Sequence, residues 1–145
     1  MAKVGRAAFN SSRKRVETLS ASKTLASAEA GELYLVAAAR AVTLPAAEDG
    51  AYFKFIISAD ITSATALVIT AAGSAKMKGS VMRLFGTSVD GIGASDGTDT
   101  ILTVGSAGNK VLQGSFVECV CDGTDWFVTG LVIGDNTDIT TTVFS

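Results

Sequence analysis

The chain has 145 residues, with 12 Lys and Arg against 14 Asp and Glu, and no histidine, for a formal charge of −2. That length fits one domain with short ends, and the lack of histidine removes the commonest general base and the nitrogen ligand of zinc sites. Hydrophobic residues make up 48% and charged residues 18%, with a mean hydropathy of +0.39. This is more apolar surface than one small core hides, so the composition predicts burial between subunits.

The small net charge conceals a separation along the chain. Residues 1 to 16 carry Lys3, Arg6, Arg13, Lys14 and Arg15 and no acid, whereas residues 87 to 145 carry eight acids against Lys110 alone. A cationic end joined to an anionic body predicts attachment to something of opposite sign. No apolar stretch follows the first bases, because Asn10, Ser11, Ser12 and the Arg13-Lys14-Arg15 run interrupt it, which argues against a secretion signal. The run Leu33 to Ala39 falls far short of the ~20 residues that cross a bilayer. A soluble protein made in the cytoplasm is expected, with no membrane partner.

In chain order, residues 1–18 show no sustained period and read as an arm, with Phe9 as their one aromatic. Residues 19–134 break into short apolar runs separated by Gly, Asp, Ser and Thr, the rhythm of a β-sandwich or jelly roll. Strands are predicted at Leu33–Ala38, Ala41–Leu44, Ala51–Ser58, Ala66–Thr70, Ser80–Phe85, Thr100–Val104, Val111–Gln113, Phe116–Cys121 and Trp126–Ile133. The clearest is Ala51–Ser58, where Phe53, Phe55 and Ile57 alternate with Tyr52, Lys54 and Ile56. The alanines of 26–41 favour helix, but Gly31 and Leu33-Tyr34-Leu35-Val36 favour strand, and strand is preferred. Asp49-Gly50, Asp90-Gly91, Asp96-Gly97 and Asp122-Gly123 mark turns in which glycine supplies positive φ. Residues 135–145 read as a tail in which Val143 and Phe144 are free to dock on a neighbour.

Few constellations suggest chemistry, so no enzyme, cofactor or metal is expected. Cys119 and Cys121 share one face of a strand, too parallel to bridge and too few for zinc, and read as small buried side chains. The Asp-x-Thr-Asp segments at 96–99, 122–125 and 135–138 offer oxygen ligands to Ca²⁺ but read first as turns in which the leading carboxylate accepts backbone N–H groups. Gly91-Ile92-Gly93-Ala94-Ser95-Asp96 begins like a dinucleotide fingerprint but ends in Asp with no helix to follow, and reads as a loop. Trp126 is expected to cap the core with its N–H bonded at the rim. Lys76, Lys78 and Arg83 around Met77 and Met82 suggest a basic surface patch. Arg13-Lys14-Arg15 suits nucleic acid, but the anionic body would repel a duplex.

Two segments carry a family resemblance. Thr43-Leu44-Pro45, the acidic turn Glu48-Asp49-Gly50 and the alternating Tyr52-Phe53-Lys54-Phe55 resemble a unit common in small β-domains of tailed phages. Asp122-Gly123-Thr124-Asp125-Trp126 and the strand after it are similar to the unit that closes those domains. The similarity runs from residue 20 to residue 134. Such domains serve as capsid decoration (cement) proteins and as parts of tail fibres, and a chain of this length resembles the free-standing cement type. The resemblance implies a virion protein on the capsid surface, a homotrimer whose partner is the major capsid protein. Lys3, Arg6, Phe9, Arg13, Lys14 and Arg15 would then form a capsid-binding arm. The alternative is a tail-fibre or adhesin module that reads a host glycan through loops such as Thr87–Thr98.

Overall fold

The computed structural model describes residues 14–85, 88–105, 108, 110–135 and 143–145, with residues 88–90 described by their backbone only. Their strands are β1 (Val16–Thr18), β2 (Lys23–Thr24), β3 (Leu33–Val36), β4 (Arg40–Thr43), β5 (Tyr52–Ile57), β6 (Ile61–Thr62) and β7 (Leu67–Thr70). These continue as β8 (Met77–Phe85), β9 (Ser88–Ala94), β10 (Ile101–Val104), β11 (Lys110–Val111), β12 (Phe116–Cys121), β13 (Trp126–Gly134) and β14 (Val143–Phe144). One 3-10 turn, Ser27–Glu29, interrupts them. The fold is an all-β sandwich, as the spacing of apolar runs predicts.

The first five strands wind as a coil. β1, β3 and β5 lie side by side and parallel in the larger sheet, with Val16 opposite Leu33 and Leu33 opposite Lys54. Between them β2 and β4 cross to the smaller sheet, where they too are parallel, Lys23 opposite Val42. Each circuit thus adds one strand to both layers, and the opposite layer serves as the crossover that parallel neighbours require. The larger sheet runs β1-β3-β5-β12-β13-β8-β9, with β11 and β6 extending one end. The smaller runs β14-β10-β7-β4-β2.

The core forms where the inner faces meet. Phe53, Phe55 and Ile57 of β5, Val117, Cys119 and Cys121 of β12, and Trp126, Val128 and Val132 of β13 face Val42, Leu67, Ile69, Leu102 and Val104 of the smaller sheet. Tyr34 stacks on Phe55 with ring centroids 5.6 Å apart, and Phe53 lies 5.9 Å from Trp126. Both cysteines are buried free thiols on one face, as their spacing predicts. The indole of Trp126 lies deeper than a rim cap. It is fully buried, and its Nε1–H has no hydrogen-bond partner among the described residues.

All nine predicted strands are present, with ends that differ by up to three residues. Five others were not predicted. β1, β2, β6 and β14 have two or three residues each, too few to show a period, and exist because a neighbouring strand offers them hydrogen bonds. β1 takes Val16–Thr18 out of the predicted arm. β14 takes Val143 and Phe144 out of the predicted tail, pairing them with Thr103 and Leu102 of the same chain. β9 replaces most of the predicted loop 87–98, and Gly91 is an extended strand residue without the positive φ assigned to it. Glycine at 91 lets the Arg83 guanidinium lie across it, since a Cβ there would stand 2.7 Å from Arg83 Nη2. Gly50, Gly97 and Gly123 do adopt positive φ.

Candidate functional site

The predicted arm residues Lys3, Arg6, Phe9 and Arg13 lie outside the described residues. Lys14 and Arg15 mark the point where that segment joins the domain. The Lys14 ammonium sits 5.3 Å from the centre of the Tyr52 ring, within cation–π range. Arg15 is a domain residue. Its Nη1 donates to Glu32 Oε1 at 2.9 Å, its Nη2 lies 3.9 Å from Glu17, and its carbonyl accepts the Leu33 N–H at 2.9 Å.

A polar cluster continues the anchorage beneath. Lys23 Nζ donates to Glu17 Oε1 at 2.9 Å and to Glu29 Oε1 at 2.7 Å, and lies 5.2 Å from the centre of the Tyr34 ring. The buried Tyr34 hydroxyl donates to Glu32 Oε2 at 3.1 Å, and Glu29 Oε2 accepts the Ala26 N–H at 2.7 Å. The carboxylates of Glu17, Glu29 and Glu32 approach within 4.8 Å of one another. That spacing suits a cation, and Lys23 and Arg15 are the cations in contact with them. The cluster ties β1 and β2 to the turn before β3, so the first described residues are clamped at the sheet edge.

The acidic turns spend their carboxylates on the backbone. Asp122 Oδ1 accepts the N–H groups of Thr124 and Asp125, and Asp96 Oδ1 accepts the N–H and hydroxyl of Thr98. Asp125 accepts the Lys76 N–H and pairs with Lys78 at 2.6 Å, and Asp135 accepts the Lys110 N–H. Residues 136–138 of the third such segment lie outside the described residues. The basic patch predicted around Lys78 is dispersed. Met77 is in the core, Met82 is exposed on the opposite face of β8, and Lys78 is paired with Asp125.

These contacts set the response to pH. Glu29 is held below its ordinary value of 4.5 by Lys23 and then by the Ala26 N–H. Asp96, Asp122 and Asp125 are lowered too, by the Thr98 hydroxyl, the Asp125 N–H and Lys78 respectively. Lys23 and Lys54 are raised by their carboxylate partners Glu29 and Glu118, and burial pushes the Cys119 thiol up to about 12. Lowered carboxylates contribute stability that is present above their unfolded values and lost as pH falls through the folded ones. Raised lysines and the raised thiol contribute stability that is present below their unfolded values, 9.0 for the thiol, and lost as pH rises through the folded ones. With no histidine, unfolding free energy from urea titrations is expected to be flat between about pH 5 and about pH 8 and to fall on both sides. A step near pH 6.5 would contradict this assignment.

No protein-family model matches the chain, and searches of curated proteins and of solved structures return no match.

Proposed function

We propose that this chain is a capsid decoration protein of a tailed phage, a non-enzymatic homotrimer that clips onto the outside of the head and stabilises it. The observation that carries this reading is the clamped root of the basic segment. Arg15, Glu32 and the Lys23 cluster fix the chain at the edge of a rigid sandwich at the residue where a leader bearing Lys3, Arg6, Phe9 and Arg13 begins. A tether transmits force only if its origin is fixed, and burying and pairing that origin serves a clip better than a passive tail. The leader's bases suit an acidic outer surface, with Phe9 as an apolar anchor. Three leaders on one trimer multiply modest contacts, raising avidity over a single leader by ~10² to 10⁴.

Removal of residues 1–13 tests the reading. The shortened chain is expected to keep its circular dichroism spectrum and its mass in solution, and to lose co-sedimentation with undecorated heads. Retained binding by the shortened chain would overturn the leader's role.

A further inference from the structure

The outer face of the larger sheet breaks the rule that a sandwich strand is apolar inward and polar outward. The strand pairings place Leu35, Ile56, Phe116, Leu131, Met82 and Ile92 side by side on six adjacent strands, from β3 to β9, all on the face turned away from the smaller sheet. A second tier crosses the middle of the same face, with Tyr52 opposite Val120 and Val120 opposite Phe127. Ile92, Phe127 and Met82 are 60%, 46% and 43% exposed.

We infer that this face is the interface between copies of this chain. The inference rests on the reading above for the number of copies alone. Two observations favour a second copy as occupant. The first is charge. Between the two apolar tiers lie Lys54 and Glu118, directly opposite each other and joined at 2.6 Å, with the Lys54 ammonium 4.7 Å from the centre of the Phe116 ring. Their charges cancel within one chain, so the middle of the face presents no net sign, and further copies of the chain approach it without the repulsion that a one-signed surface would impose. An acidic shell gains nothing from this neutral centre, whereas the basic leader suits it.

The second observation is extent. Six strands spaced ~4.8 Å apart and four tiers of side chains ~6.7 Å apart, the fourth being Ile133 beside Leu84 beyond the Leu131–Met82 pair, give a face of roughly 24 by 20 Å, about 500 Å² in projection. The accessible area of a corrugated face exceeds its projection and approaches the ~800 Å² per partner that stable interfaces bury.

Sedimentation velocity at micromolar concentration tests this on the full chain, on Phe127→Glu, on Met82→Glu and on Val143→Glu as a control. Val143 is equally exposed but lies on β14 of the smaller sheet. The wild type and the control are expected to sediment as oligomers, and the two face variants at the mass of one chain with unchanged circular dichroism. If either face variant fails to fold, Ile92→Glu at the most exposed position takes its place. A monomeric wild type, or an oligomer that survives the face variants, would overturn the inference. Head binding measured on the same samples separates the two readings. An oligomer that binds heads and survives the face variants sinks only the interface, and an oligomer that loses its mass in the face variants but never binds heads sinks only the capsid reading.

Discussion

Trp126→Ala is expected to lower the unfolding free energy by about 3 to 5 kcal/mol, the range for emptying a buried aromatic site. The indole is fully buried at the start of β13, packed against Phe53, with Cys121 and Met77 beside it on the two flanking strands. Rigid sheets on both sides keep the site from collapsing, which places the loss in the upper part of that range. For a domain whose total stability is about 5 to 15 kcal/mol, this is a large share. Trp126→Phe separates packing from polarity. It keeps a ring against Phe53 and removes an N–H that is buried without a partner among the described residues, so part of the lost contact is offset by removing an unsatisfied donor. The phenylalanine variant is expected to lose well under half of what the alanine variant loses, read from urea midpoints. Equal losses would mean that the indole N–H has a partner and contributes to stability.

Gly79→Ala is expected to cost about 3 kcal/mol or more, for a different reason. Gly79 has φ of +134° inside β8, and a Cβ there would stand 2.0 Å from the carbonyl oxygen of Val128, its neighbour on β13. The methyl group meets backbone, which cannot rotate away as a side chain does. The substitution adds a strained dihedral, about 1 to 3 kcal/mol, to overpacking of similar size, and it does so at the seam that joins the long parallel strands β8 and β13. Gly97→Ala supplies the contrast. Gly97 also has positive φ, +91°, but nothing lies within 4 Å of its added Cβ. Only the dihedral cost of about 1 to 2 kcal/mol is then expected. Equal losses at the two positions would show that the β8–β13 seam yields without cost.

The inward alternation of Phe53, Phe55 and Ile57 and the shared face of Cys119 and Cys121 were legible in the sequence, because period 2 is a local property. The coil of parallel strands was not. Whether β1 pairs with β3 depends on the path taken through the other sheet, and nothing in Val16–Thr18 records that path. Arg15 reads as one of a run of bases, but its partner Glu32 lies 17 residues away, and only the parallel pairing brings them together. β9 was hidden by Gly91 and Gly93, which lower strand propensity, and at Gly91 the missing side chain makes room for the Arg83 guanidinium. The apolar outer face was half legible. Composition indicated apolar surface in excess of one core, and the double-faced sequences of β5, β12 and β13 held the reason, but only the register of six strands shows the residues as one ladder.

The proposed role places this chain on the outside of a phage head. An electron cryo-microscopy reconstruction of virions carrying the chain tests that most directly. Density for a β-sandwich oligomer seated on the outer capsid lattice, with the chain before Lys14 reaching the shell, is the expected result. Heads bare of it, with the sandwich found on the tail or missing from the particle, would contradict the account.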